Sequence, residues 1–148
     1  MPIVWTKDVL VDAENQLARL AQLERLIERL ESVHRGGEAA YLADEDLRMM
    51  SERRLELAIQ ICIDIGAHLV SELSAVPPTD YAGIFRSLAD AGHLDPDLGS
   101  RLSDAARQRN LLVHLYLAID DRQVFASLQR LDDLRAFAAT VKRLATES

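Results

Sequence analysis

Ten consecutive residues, Arg107-Gln108-Arg109-Asn110-Leu111-Leu112-Val113-His114-Leu115-Tyr116, bring together guanidinium, carboxamide, imidazole and phenol groups. A guanidinium holds a phosphate through a planar fork of donors, and an imidazole exchanges a proton near neutral pH, with an unperturbed pKa of about 6.5. On a helix Asn110 and His114, four apart, share a face. Arg109 and Tyr116, seven apart or ~700° around, share another. Arg109 and His114 are five apart and diverge by about 140°. They meet at one phosphate only if the helix ends or bends between them, or if two copies of the segment face each other across a dimer axis. Spacing alone leaves a structural reading open: a surface arginine, a histidine at a helix end and a packed tyrosine.

A second set of polar residues lies upstream. Between Leu55 and Leu73 the chain is apolar almost all round a helix, which suits the centre of a bundle or an oligomer interface. The exceptions, Glu52, Glu56, Gln60, Asp64, His68 and Glu72, fall four apart. Four residues advance ~400°, so neighbouring members of this ridge can touch. Either it is the one wet side of the helix, or Asp64 and His68 face a polar groove made with another helix. An unrelated active site on this ridge is a third possibility. His34 and His93 read as surface residues in turns.

The elements that must position these groups are helical. Val9, Leu10, Ala13, Leu17, Leu20, Leu23, Ile27 and Leu30 form one stripe of a first helix, from about residue 7 to 33, that ends at Gly36-Gly37. Asp44 opens a second helix to about Leu73, closed by Ser74 and Pro77-Pro78. Thr79 or Asp80 caps a short third helix over Tyr81 to Ala91. Asp95-Pro96-Asp97 reads as N-cap, first-position proline and first-turn acid of a fourth helix through Leu112. Asp120 or Asp121 opens a fifth, with Val124, Leu128, Leu131, Leu134, Phe137, Val141 and Leu144 on its buried face. No segment alternates with period two. The expectation is one all-α domain over residues 1–148, an up-and-down bundle of four long helices and one short one.

Composition narrows the function classes. The chain has 148 residues, 49% of them hydrophobic, enough for a sizeable core. Cys62 is the one cysteine, which excludes an intramolecular disulfide and a multi-cysteine metal site. Seventeen Lys and Arg against 24 Asp and Glu give a net charge of −7, which argues against electrostatic coating of nucleic acid. A few arginines positioned in a cleft still outweigh the net sign locally. No acidic cluster has defensible metal-ligand spacing. No apolar run approaches the ~18 residues needed to span a bilayer, and MPIVWTKDVL does not read as a leader. A soluble cytoplasmic protein without membrane association is expected.

The segment from Arg109 resembles the R-x4-H-x-Y motif of the HEPN superfamily, with Arg109, His114 and Tyr116 in its three places. The wording RNLLVHLY followed by Ile119-Asp120 is similar to the HepT toxins, partners of minimal nucleotidyltransferase antitoxins in type VII toxin–antitoxin pairs. The likeness extends to Glu52-Arg53, Leu57-Ala58-Ile59-Gln60 and Ile63-Asp64-Ile65-Gly66-Ala67-His68-Leu69 of the central helix. It also includes Tyr81, Ile84-Phe85, Leu88-Ala89 and Ala91-Gly92, and so covers residues from about 44 to 137 in order. Arg107 and Gln108 stand where the family usually has a glycine and an aromatic. Leu115 stands where many members have glycine.

The resemblance implies a HEPN-like helical fold and an endoribonuclease that needs neither metal nor other cofactor and uses the RNA 2′-hydroxyl as nucleophile. His114 would be the general acid and base, and Arg109 the clamp on the phosphate and on the charge of the transition state. Asn110 would orient the histidine or the phosphate, with Asp64 as a further supporting residue. The 2′-hydroxyl requirement predicts that RNA is cut and DNA is not. The separation of Arg109 from His114 calls for a homodimer with paired motifs at one cleft. Tyr116 would accept AMP on its phenol oxygen from the partner nucleotidyltransferase, which uses ATP, and so silence the toxin. The alternative is a non-catalytic HEPN dimer whose groove binds a nucleotide or a partner protein.

Overall fold

A computed structural model describes residues 7–114 and 116–146 of the chain, with side chains described from residue 14 and Tyr116 in its backbone only. The elements are α1 (Lys7–Arg35), α2 (Glu38–Ala43), α3 (Glu45–Glu72), α4 (Tyr81–Asp90), α5 (Pro96–His114), α6 (Asp121–Ser127) and α7 (Leu131–Thr146). Single 3-10 turns cover Tyr116–Ala118 and Leu128–Arg130. There is no strand among the described residues.

The helix starts follow the cap chemistry of the sequence. Asp44 accepts from the Leu47 amide at 3.0 Å, Asp80 from Gly83 at 2.7 Å and Asp95 from Leu98 at 3.0 Å. Asp120 accepts from Arg122 and Gln123 at 3.1 and 3.4 Å. Each satisfies amides that have no partner inside the first helical turn. Past α1, Gly37 takes a φ of 92° that favours glycine. The side chains of Val9, Leu10 and Ala13, expected on the α1 stripe, lie outside the described residues.

α3 is the central rod. It packs against α1, α4, α5 and α7, which is why it is apolar on nearly every side. Ala58, Ile59, Cys62, Ile63 and Ile65 are almost wholly buried. Burial pushes the Cys62 thiol well above its ordinary range, so it behaves as a small hydrophobe rather than a nucleophile. Phe85 of α4 meets Phe137 of α7 edge to face, with ring centroids 5.6 Å apart. Gly66 lets α4 approach α3 closely: a Cβ there would lie 2.7 Å from Ile84 Cγ2.

Four long helices, α1, α3, α5 and α7, and the short α4 match the bundle read from the sequence, and two features were not anticipated. The stretch before Asp44, read as connection, holds the short α2, which places Tyr41 in the core. The last helix is not continuous from Asp121, because the 3-10 turn at Leu128–Arg130 separates α6 from α7. Ser127 lies at the break. Its hydroxyl donates back to the Gln123 carbonyl at 2.9 Å and also receives the Gln108 side-chain amide. Such back-bonding by serine bends helices.

Candidate active site

α5 buries one stripe, Leu98, Leu102 and Ala106. Arg109 comes seven residues after Leu102 and three after Ala106, so it continues that stripe where a core residue would be expected. The guanidinium is half-buried and lies over the ring of Tyr81, with Cζ 5.8 Å from the ring centroid. Its Nη1 donates to Asn110 Oδ1 at 3.2 Å. Its Nε is fully buried and has no hydrogen-bond partner among the described residues. A buried charged donor without an acceptor costs free energy at this position.

His114 is the last residue of α5 and is exposed. α5 continues without a break past Arg109, which removes one of the routes by which the two groups could meet, a helix ending between them. Within one chain they leave the helix about 140° apart and ~7.5 Å along its axis. Arg109 points to Tyr81 of α4, and His114 points to solvent. Asn110 is also exposed, is bonded to Arg109 and stands one turn before His114 on the same face. Tyr116 begins the 3-10 turn that follows. Its side chain, proposed for modification, lies outside the described residues, as does Leu115.

The ridge on α3 pairs with itself. Gln60 donates to Asp64 Oδ1 at 2.8 Å, and His68 Nε2 stands 4.0 Å from Glu72. Asp64 is exposed, and its hydrogen bond is with Gln60, one turn away on its own helix, rather than with Arg109, Asn110 or His114. His34 departs from its expected place in a turn. It lies in the last turn of α1, half-buried, and stacks on Phe125 with centroids 5.4 Å apart. His93 does lie in the turn after α4 and is half-buried.

Arg107 and Gln108 leave α5 on the side away from Tyr81. They line a cavity of about 400 Å³ against α6 and α7. Arg107 is held by Asp104 at 2.8 Å. The residue that sequence reasoning missed is Tyr81. It belonged only to the resemblance of the short helix, and its contact with Arg109 joins positions 28 residues apart (109 − 81) that no helical period connects. Among the described residues no group of three or more His, Cys, Asp or Glu is placed to hold a metal ion. No helix among them is long and apolar enough to cross a membrane.

The all-α bundle thus carries a half-buried arginine near the end of one long helix and an exposed histidine at that end. Residues 23–141 match the HepT-like family, described as ribonuclease HepT-like. The chain is 30% identical over 110 residues to a tRNA nuclease HepT from Aphanizomenon flos-aquae, covering 74% of this chain and 75% of that one. The chain therefore belongs to the HepT-like ribonuclease family. Solved structures share the fold. A tri-AMPylated HEPN toxin of Shewanella oneidensis, in complex with its MNT antitoxin, superposes with a TM-score of 0.79 at 23% identity over 86% of this chain and 96% of that one. The cytosolic protein YutE of Bacillus subtilis, of unknown function, superposes with 0.72 at 19% identity over 88% and 91%.

Proposed function

We propose that this chain is the toxin of a toxin–antitoxin pair in the cytoplasm and that it is a metal-independent endoribonuclease. The observation that carries the reading is Arg109, a guanidinium on a core stripe with a buried Nε that lacks an acceptor. A phosphodiester oxygen is the partner that a permanently charged, fork-shaped guanidinium in this position would hold. Family membership and the relative named as a tRNA nuclease support RNA as the substrate.

In this mechanism His114 takes the proton from a ribose 2′-hydroxyl and the 2′-oxygen attacks the adjacent phosphorus. The bond to the 5′-oxygen of the next nucleotide breaks, and that oxygen takes up the proton. The products are a 2′,3′-cyclic phosphate and a 5′-hydroxyl. Arg109 neutralises the charge that builds on the non-bridging oxygens, and Asn110 holds the guanidinium in place. Because the two groups diverge on one α5, we assign the site to a homodimer that sets Arg109 of one copy beside His114 of the other. A minimal nucleotidyltransferase partner transfers AMP from ATP to the Tyr116 oxygen, with pyrophosphate leaving. The added phosphate places negative charge two residues from His114 and fills the cleft meant for the substrate phosphate.

Purified wild type, His114→Ala and Arg109→Ala, incubated with RNA and with DNA of the same sequence, test this. Wild type cuts RNA only. The histidine variant is slower by about 10²–10⁴-fold and the arginine variant by about 10²–10³-fold. Equal cutting by all three would overturn the assignment, and no cutting by wild type would leave a nucleotide- or partner-binding dimer. Mass spectrometry of the chain co-expressed with its antitoxin should show one or more AMP adducts on the peptide bearing Tyr116. An unmodified peptide would remove the silencing step.

A further inference from the structure

The Tyr81 ring that carries Arg109 also lines a cavity of about 610 Å³ between the end of α3 and the start of α4. Its walls combine apolar surface from Val70, Pro77 and Ile84 with the hydroxyls of Ser71, Ser74 and Thr79 and the Asp80 carboxylate. No Lys, Arg or His contributes to this lining. The volume suits a small planar ligand, and its polar groups suit the edge of a nucleobase. A phosphate would find no cation inside, but it would find one next door in Arg109. We infer that this cavity is a nucleobase subsite, in which a base beside the scissile phosphate stacks on Tyr81 while Arg109 holds that phosphate.

The local structure anchors the backbone that carries the ring. Asp80 caps α4 through the Gly83 amide. Gly83 is needed for this closure, because a Cβ there would lie 2.9 Å from Asp80 Oδ1 and 3.1 Å from Pro78 Cβ. Ser103 donates to the Ala82 carbonyl at 2.7 Å and ties the first turn of α4 to α5, the helix that carries Arg109. Ser87 donates to the Val76 carbonyl and holds the connecting loop. Tyr81 is nevertheless 48% exposed, and a half-open aromatic ring on an anchored turn is the kind of platform on which single-stranded bases stack. The Arg109 guanidinium lies at the same ring, with Cζ 5.8 Å from its centroid, which sets the phosphate clamp next to the stacking platform.

The inference rests on the proposed handling of RNA by Arg109, and binding tests it apart from cleavage. The probe is a mixed-sequence hexaribonucleotide, alongside the same ribose-phosphate chain with all bases removed. Both are titrated by fluorescence anisotropy against the His114→Ala protein, in which cleavage is slowed. Adding Tyr81→Ala should weaken binding of the intact RNA about 5- to 150-fold, the range of one lost stacking contact. It should leave binding of the base-free chain within about twofold. Tyr81→Phe, which keeps the ring, should restore the intact RNA. Ser71→Phe, which narrows the cavity without replacing Tyr81 or Arg109, should weaken intact RNA alone, and circular dichroism should show each variant folded. Equal binding of intact RNA with and without the Tyr81 ring overturns the subsite and leaves the nuclease reading standing. Equal weakening on both probes also overturns it, and reduces Tyr81 to a support for Arg109. If Arg109→Ala changes binding of neither probe, the phosphate clamp fails, and the subsite fails with it.

Discussion

At the scale of single residues, Arg109 stands where packing alone would put an apolar side chain. Replacing the apolar residue that fits the stripe with a half-buried cation sacrifices core stability at that turn, and such a conflict between local rule and observed residue marks function more often than accident. Asp64 makes the contrast. It is exposed, its recorded partner is Gln60 one turn away, and it satisfies an ordinary polar ridge. Asp64→Asn is therefore expected to cut RNA at a rate within about tenfold of wild type, measured beside Arg109→Ala, which loses at least about 10²-fold. The reverse order would move the chemistry to the α3 ridge. Sequence spacing exposed Arg109, Asn110 and His114 as a group, because three positions on one helix need only the 3.6-residue period. It could not expose the Tyr81 ring under the guanidinium, since that contact depends on how α4 and α5 cross.

At the scale of elements, the caps were legible because each rests on local chemistry: an aspartate, followed by amides that need an acceptor. The break between α6 and α7 was not: it falls at Ser127, which bonds Gln108 of another helix, a contact that no local signal announces. The segment after α5 is anchored by a polar cluster in which Arg48 of α3 meets Asp121 of α6 at 3.4 Å. Burial, a hydrogen bond with Asp121 and its charge raise the Glu52 carboxyl above its ordinary value, against a smaller opposing effect of Arg48. The folded chain thus holds the Glu52 proton more tightly than the unfolded chain does. The resulting contribution to stability is complete below the ordinary value of 4.5 and is lost as pH rises through the raised native value. Glu52→Gln removes that dependence. Urea midpoints measured from pH 4 upward should show the variant gaining on wild type as pH rises, with the gain levelling off above the native value. Parallel curves would contradict the origin given for the shift. The buried Tyr41 phenol, raised mainly by burial, then by Glu52 and Asp121 and lowered by Arg48, stays neutral throughout this range.

At the scale of the whole molecule, the all-α bundle followed from apolar periodicity, and the centrality of α3 followed from its apolar surface on nearly every side. What one chain does not supply is a meeting of guanidinium and imidazole, since α5 continues helical past Arg109 and sends the two groups to different faces. The account therefore depends on a second copy, and mixing inactive subunits examines that dependence. Co-expressed Arg109→Ala and His114→Ala chains form mixed dimers in which one of two sites pairs the intact arginine of one copy with the intact histidine of the other. Random pairing makes about half of the dimers mixed, so RNA cleavage should return to roughly a quarter of the wild-type rate, while each variant alone stays near background. A mixture as inactive as its components, in dimers shown by native mass spectrometry to be mixed, would contradict the shared site.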